Sequence, residues 1–379
     1  MTQVPKATCR VRLRTKGTRI IVLQNQPDIY VWIQPVLSRM KISHYIFNKE
    51  VIIKKKVLVA ALSGALAVAM VAGTAFAGET EASTEAAVDT DSYEIKSPGG
   101  LKFGYTYWAA SDFFSTIGES MQDIAKENGD EVIIQDAQQD QAKQKSIIED
   151  FISQGVSAVF LNPVDRDGIE PALDMLNEAG IPIVNVDTSV ASLDKVNSYV
   201  ASDNYGAGVL CAQKMMELIP DGGDIAILDY PANSACLDRV QGFTDTIEGK
   251  GYNIVDQQDA QGKPDPGLEK TQDILQAHPD LVAVFACNDQ CGQGAYAAIN
   301  EANSKCIVLG VDGSPEGKEY INEGGAFVAT AAQSPIKIGH DSIVTAYQIL
   351  NGDDYNKNIA VPTFIIDKDN VADYMDGWQ

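Results

Sequence analysis

Carboxylates, amides and aromatic rings recur in this 379-residue sequence at one kind of place, just after short runs rich in valine, isoleucine and alanine. Tyr107-Trp108 end the run LKFGYTY, with Ser111 and Phe113-Phe114 close behind. Asp187-Thr188 follow IPIVNV, and Asp229-Tyr230 and then Asn233 follow DIAIL. Asn288-Asp289 follow LVAVFAC, Asp312-Gly313 follow CIVLGV, and Gln333 follows AFVATAA. Carboxylate and amide side chains exchange hydrogen bonds with hydroxyls, and flat rings cover C–H faces. Together they make the lining of a pocket for a small polyhydroxylated molecule, a sugar above all. Each has a plainer role as well. An acidic residue or asparagine after a strand often caps the next helix, and for Asp229 cap and ligand contact weigh equally. Phe113-Phe114 fit a core and Trp108 a lobe surface. The number of coincident run ends, not any one residue, carries the reading.

The elements that must hold these residues alternate. LKFGYTY reads as a strand, and Phe113, Ile117, Met121, Ile124 and Ala125 recur at helical spacing over 112–129, with Asp112 as N-cap and Gly129 as stop. Strand EVIIQ, helix 140–155, strand SAVFL, helix 166–179 and strand IPIVNV follow. After Tyr199 come helix 204–219, strand DIAILD, helix 234–249, strand YNIVD, helix 267–277 and strand LVAVFA. Helix 290–303, strand CIVLGV, a helix near 316–323, strand AFVATAA, helix 335–350 and strand AVPTFII close the chain. Unbroken apolar strands require a parallel sheet covered on both faces. Repeated βα units imply right-handed crossovers and a doubly wound α/β fold. The strands are too many for one sheet, so two lobes are expected. In such sheets ligands sit beyond the carboxyl ends of the strands, where the residues above fall.

Charge is uneven along the sequence. Residues 1–77 carry 12 Lys+Arg and 2 Asp+Glu, which leaves 17 and 50 in residues 78–379, a net charge of −33 there. A body this acidic repels nucleic acid and anionic lipid, and its ligand is not a polyanion. The basic head reads as an export signal. Lys54-Lys55-Lys56 precede an apolar run from Val57 to Val71, and Ala75-Phe76-Ala77 close it before Gly78. This is a Sec signal peptide over 51–77 with cleavage after Ala77. The run is too short and too rich in alanine and glycine for a transmembrane anchor. No cysteine near the cleavage site marks lipid attachment. Residues 1–50 show no clean periodicity and read as a non-native or leader extension, with translation starting later, at Met40 or Val51. Residues 78–100, ending in Pro98-Gly99-Gly100, read as a flexible acidic tether.

Five cysteines fall after the signal, Cys211, Cys236, Cys287, Cys291 and Cys306, so at least one has no partner within the molecule. Buried free thiols are the expectation for most. Only His278 and His340 stand by to complete a metal site with Cys287 and Cys291, and no metal or cofactor is expected. HExxH, GxSxG and P-loop motifs are absent, so the sequence reads as no enzyme. Gly206-x-Gly208 matches part of a dinucleotide fingerprint, but Cys211 stands at the third glycine; close helix packing is the better reading.

The stretches SDFFSTIGE, FLNPVDRDGI, AGIPIVNVD, VASDNYGAG, AHPDLVAVFACND, VLGVDGSPEG and ATAAQSP resemble those of periplasmic sugar-binding proteins of the ribose/galactose type, over nearly all of residues 101–370. The resemblance implies two Rossmann-like lobes joined by three crossing segments that close on ligand. It places one lobe at 101–201 plus 334–362 and the other at 202–333 plus 363–379, with crossings near 201–203, 332–334 and 361–365. Carried over by position, Phe113, Phe114, Asp187, Asn288, Asp312 and Gln333 match ligand-contacting residues, and Ser111 stands where ribose binders carry asparagine. Two arginine positions hold Thr188 and Leu237 instead, with Arg239 two residues on and expected to face elsewhere. An aromatic near Gly262 is missing. Ribose is thereby in doubt, and a less hydroxylated sugar, a polyol or a signal molecule suits the pocket better, with Tyr107 and Trp108 replacing some contact.

The resemblance implies a monomeric solute-binding protein, periplasmic or at the cell surface, that delivers a sugar or polyol to the permease of an ABC transporter. Its alternative is a receptor that presents ligand to a chemoreceptor or sensor kinase. Repressors share this fold, but an export signal stands where their DNA-binding helices would be.

Overall fold

The computed structural model describes residues 13–15, 18–25, 28–35 and 88–379. Two compact units divide the molecule, Met1–Thr84 and Glu85–Gln379. The first contains an antiparallel sheet of β1 (Leu13–Thr15), β2 (Thr18–Asn25) and β3 (Asp28–Pro35) in that order. Its two longer strands are rich in β-branched and aromatic residues, which favour strands. The signal segment lies outside the described residues.

The second unit contains two six-stranded sheets. The first has the order β14-β8-β7-β6-β4-β5, from β4 (Lys102–Tyr107), β5 (Glu131–Asp136), β6 (Ala158–Leu161), β7 (Ile183–Val186), β8 (Ser198–Ser202) and β14 (Asn358–Val361), and all its pairings are parallel. The second has the order β10-β9-β11-β12-β13-β15, from β9 (Gly223–Asp229), β10 (Tyr252–Asp259), β11 (Ala283–Ala286), β12 (Ile307–Asp312), β13 (Phe327–Ala332) and β15 (Phe364–Asp367). Only β15 runs antiparallel to its neighbour. Both are doubly wound α/β sheets, and their strands are apolar because helices cover both faces.

Period-two alternation shows why. Phe103, Tyr105, Ala158 and Phe160 face a core under α1 (Asp112–Glu127) and α9 (Pro335–Asn351). Val159 and Leu161 face the opposite core, with Ile148 and Phe151 of α2 (Gln141–Gln154) and Leu173 of α3 (Glu170–Glu178). The second sheet shares one continuous core with α4 (Asn204–Leu218), α5 (Ser234–Ile247), α6 (Pro264–Ala277), α7 (Asp289–Glu301) and α8 (Pro315–Glu323). All five cysteines are buried and unpaired here. No helix among the described residues is long and apolar enough to cross a membrane.

The backbone passes between the sheets three times: from β8 into α4, from β13 into α9, and between β14 and β15. The last passage corrects the reading of AVPTFII as one strand. Pro362 lacks an amide hydrogen to continue the ladder, and the halves on either side pair in different sheets. A second correction concerns the acidic tether, which is held down from residue 88 onward. Thr90 is buried and donates to Asp341 at 2.7 Å, Lys337 bridges Asp91 and Asp341, and Ser97 donates to Asp130 at 2.6 Å. Residues 78–87 lie outside the described part.

Gly208 belongs to helix packing, as its sequence context implies. A Cβ there would land on the Arg239 carbonyl oxygen, and one on Gly242 would land on the Tyr205 carbonyl, so α4 and α5 lie nearly backbone to backbone. Gly208→Ala should therefore destabilise the protein by about 1–3 kcal/mol, the usual range for overpacking. A lower urea midpoint at constant m-value would show it, and an unchanged midpoint would mean that the helices do not meet so closely.

Candidate functional site

In both sheets the strand order reverses beside the first strand of the set, at β4/β6 and at β9/β11, and open α/β sheets bind ligands at the carboxyl ends near such points. Two carboxylates stand at these ends on strained backbone. Asp187, just past β7, has φ 62°, and Asp312, the last residue of β12, has φ 145°. Such positions cost of order 1–3 kcal/mol and persist where the surroundings impose them.

Around Asp187 the partners are local. Its Oδ2 accepts from Asn162 Nδ2 at 3.3 Å and Thr188 Oγ1 at 3.1 Å, and its carbonyl accepts from the Tyr199 hydroxyl at 2.7 Å. Asp312 is the hub of the second sheet. Its Oδ1 accepts from Gln333 Nε2 at 2.7 Å and from Arg239 Nη1 at 3.3 Å, and its Oδ2 accepts from the Asp289 amide at 3.3 Å. Asp289 is fully buried and holds the turn beyond β12. It accepts from Ser314 N and Oγ at 2.8 Å each and from Thr330 Oγ1 at 2.7 Å.

Arg239 corrects the sequence reading. The expectation that it faces elsewhere assumed that the carried-over position, Leu237, marks the inward side of the helix. Leu237 is instead 45% exposed, and Arg239 is only 4% exposed. Arg239 Nε donates to Asn204 Oδ1 at 2.9 Å and Nη1 to the Cys287 carbonyl at 2.9 Å. The signal was available: Ala235, Cys236, Arg239, Val240 and Phe243 form the buried stripe of α5 at i, i+3, i+4 spacing. Asn162 and Trp378 were also missed; Asn162 follows the strand SAVFL directly, the signal that nominated the others, whereas no motif in the sequence marks Trp378.

The rings form one cluster on α1 and the end of β4. Tyr107 stacks on Phe114 with centroids 5.8 Å apart, Trp108 meets Phe114 edge-on at 5.8 Å, and Phe113 meets Phe114 edge-on at 5.5 Å. Tyr107 and Phe114 are buried, whereas Trp108 and Phe113 are half-buried. Tyr107 thus supports the outer rings from below. Ser111, not Asp112, caps α1, accepting from the Phe114 amide at 3.3 Å, and so sets where the two phenylalanines point.

The remaining candidates divide. Gln333 is buried beside Asp312, with Oε1 unpartnered. Asn288 caps α7, accepting from the Cys291 amide at 3.0 Å, and donates to the Gly262 carbonyl at 3.1 Å. Thr188 lines a cavity of about 330 Å³ with Trp108 and Arg166 on one side and Tyr230, Asn233 and Ser234 on the other. Asn233 caps α5. Asp229 caps no helix, and its two oxygens accept from the Tyr230 amide and from Gln257. Ser189 and Ser234 meet across the cleft at 3.4 Å.

Burial is the dominant influence on the carboxyl groups. It raises Asp187 against the opposing pull of Arg239, Thr188 and Asn162. Asp312 is pushed up to about 7, by burial first and by neighbouring Asp289, while Arg239 pulls it back. A carboxyl raised on folding binds its proton more tightly in the folded state. Its stabilising effect is complete below the unfolded value near 4 and is lost as pH rises to about 7. The melting temperature of the ligand-free protein should therefore fall between about pH 4 and 7, and Asp312→Asn should make that slope shallower. An identical slope in the variant, followed by calorimetry, would contradict this assignment.

Comparison with known proteins bears on the fold and the family. Residues 103–354 match the family model described as a periplasmic binding protein domain. A ribose import binding protein of Bacillus subtilis is 37% identical over 251 residues, covering 66% of this chain and 81% of the relative. A solute-binding protein of an ABC transporter from Bacillus halodurans, solved with bound myo-inositol, superposes with a TM-score of 0.68 at 28% identity, over 73% of this chain and 98% of that one. A counterpart from Mycobacterium smegmatis with bound glycerol gives 0.67 at 32% identity, over 73% and 96%. Two doubly wound sheets, carboxylates and aromatics at their carboxyl ends, and a family match over most of the second unit lead to one conclusion: this chain belongs to the periplasmic binding protein family.

Proposed function

We propose that this protein captures a small neutral sugar or polyol between its two lobes and delivers it to the permease of an ABC importer. One observation carries the reading. A cavity of about 330 Å³ lies between the lobes, lined by Trp108, Arg166 and Thr188 of one and Tyr230, Asn233 and Ser234 of the other, with Ser189 and Ser234 3.4 Å apart across it, and Asp187 and Asp312 stand at the carboxyl edges of the two sheets. Hydroxyls paired to both carboxylates would link the lobes, and Phe113 and Trp108, backed by the buried Phe114, offer faces for the C–H groups of a sugar ring or an open polyol. Crossings at three places supply a hinge, and closure would present a single face of both lobes to the permease.

The ligand is set by what the pocket lacks as well as by what it holds. Arg239 is already engaged by Asp312, Asn204 and a backbone carbonyl, and Thr188 cannot supply a bidentate fork. Neither of these two groups offers a free cation to a charged ligand, and the arginine on the cavity wall, Arg166, is solvent-exposed. The bound relatives include myo-inositol and glycerol complexes, which supports a neutral polyhydroxylated ligand. The site holds and releases its ligand, with no bond made or broken.

Thermal shift of residues 78–379 against sugars and polyols tests this directly, because a ligand that binds only the folded form raises the melting temperature by mass action. With a ligand in hand, Asp187→Ala and Asp312→Ala should each weaken binding about tenfold to a hundredfold, at about 1.4 kcal/mol per decade. Asn288→Ala should also lower the melting temperature, since it removes the cap of α7. Affinities unchanged in the aspartate variants would refute the site. Export is part of the reading, and N-terminal sequencing of the exported protein should begin at or near Gly78.

A further inference from the structure

One aromatic ring that bridges the two lobes comes from neither α1 nor a strand end. After β15 the backbone makes a single 3-10 turn, Val371–Asp373, against the second lobe. Val371 is buried there, and Tyr374 packs on Phe364 with centroids 5.1 Å apart. Lys318 of α8, a lysine with no exposed surface, donates its ammonium to the Gly377 carbonyl. Gln379 Nε2 donates back to the carbonyls of Tyr374 and Gly377 at 3.3 Å each. Residues 371–379 are therefore tied to the second lobe. Trp378 nevertheless meets Phe113 of the first lobe, edge to face at 5.4 Å and 74°.

The polar atoms at this spot are oriented but unpaired. Trp378 Nε1 and Gln379 Oε1 are both buried without a hydrogen-bond partner, and so is Oε1 of Gln333. Gln379 Oε1 lies 3.5 Å from where a Cβ on Gly313 would stand, beside the Asp312 turn, and Gln333 Nε2 is bonded to Asp312 itself. A buried polar atom without a partner is uncommon and costs about 1–3 kcal/mol. Here one donor and two acceptors go unpaired next to the carboxylate and the ring that the site already supplies. That is the complement of a hydroxyl-bearing ligand lying against an aromatic face.

We infer that Trp378 and Gln379 are ligand-contacting residues: the segment 374–379 forms a wall of the cleft, with the Trp378 indole covering a C–H face and its N–H donating to a ligand hydroxyl. The inference rests on the sugar or polyol reading for its ligand, but the placement of the indole does not. Because Trp378 is carried by one lobe and rests on a ring of the other, its contact with ligand would form as the lobes close.

Two measurements test this. The first uses no ligand. Trp108→Phe leaves Trp378 as the only tryptophan in residues 78–379. Acrylamide quenching of its fluorescence should rise at least about twofold when Phe113→Leu is added, because the leucine keeps apolar bulk but removes the ring that shields the indole. Quenching that ignores this substitution would overturn the inference. The second uses titration calorimetry of otherwise unaltered protein with D-ribose, myo-inositol and glycerol. For whichever of the three binds most tightly, Trp378→Phe should weaken binding about tenfold through loss of the N–H, and Trp378→Ala more. The melting temperature of the ligand-free protein should stay within about a degree. Unchanged affinity in both variants, or tighter binding, would overturn the inference, tighter binding by showing that the segment obstructs the cleft. If the unaltered protein takes none of the three, the proposed ligand class fails, and the quenching result alone decides where the indole lies.

Discussion

The buried pair of Arg239 and Asp312 organises this site, because a guanidinium taken out of water must be matched at every hydrogen-bonding direction. Asn204, the Cys287 carbonyl and Asp312 do the matching, and they come from α4, the end of β11 and the end of β12. One side chain thus ties the N-terminal end of α4 to the carboxyl ends of two strands of the second lobe. Removing either partner leaves a buried charge without a counterpart, typically a loss of about 3–5 kcal/mol. The close approach of α4 and α5 through Gly208 and Gly242 belongs to the same arrangement, for it brings α5 near enough to extend Arg239 into the site.

Charge balance explains the chemistry that follows. Asp187, Asp289 and Asp312 share the neighbourhood of a single arginine, and burial raises all three. Asp289 is satisfied internally by Ser314 and Thr330 and acts as a clamp on the turn beyond β12. Asp187 and Asp312 keep accepting capacity and sit on strained backbone at the sheet edges. A carboxylate already held by neighbouring donors needs no rearrangement to accept a hydroxyl, which favours affinity by preorganisation. The aromatic cluster contributes rigid surface at little entropic cost, because Phe114 and Tyr107 fix the rings above them.

Much of the architecture was legible in the amino-acid order. Unbroken apolar runs separated by helical spacing define doubly wound sheets, and two six-stranded sheets account for them. AVPTFII was not legible as two strands, since apolar content is blind to which sheet a strand joins; Pro362 was the only clue. The acidic stretch before residue 101 was read by composition as a free tether, yet Thr90, Asp91 and Ser97 find partners 33 to 251 residues away. Composition registers the absence of an apolar core within a segment, and it carries no record of hydrogen bonds made to distant ones.

The candidate site divides along the same line. Residue type and position after a strand were enough to nominate Asp187, Asp312, Gln333 and the rings, because in a parallel sheet every strand end lies at one edge. Sequence alone could not distinguish a residue that caps a helix from one that faces the cleft, as Asn288 and Ser111 both show, since both roles ask for the same short polar side chain at the same place. It also misplaced Arg239, whose helical phase depends on where α5 meets α4. Trp378 lay beyond any local pattern. Only the fold decides that a residue carried by the second lobe rests on Phe113 of the first, because that contact depends on how two separately wound sheets are joined by three crossings of one backbone.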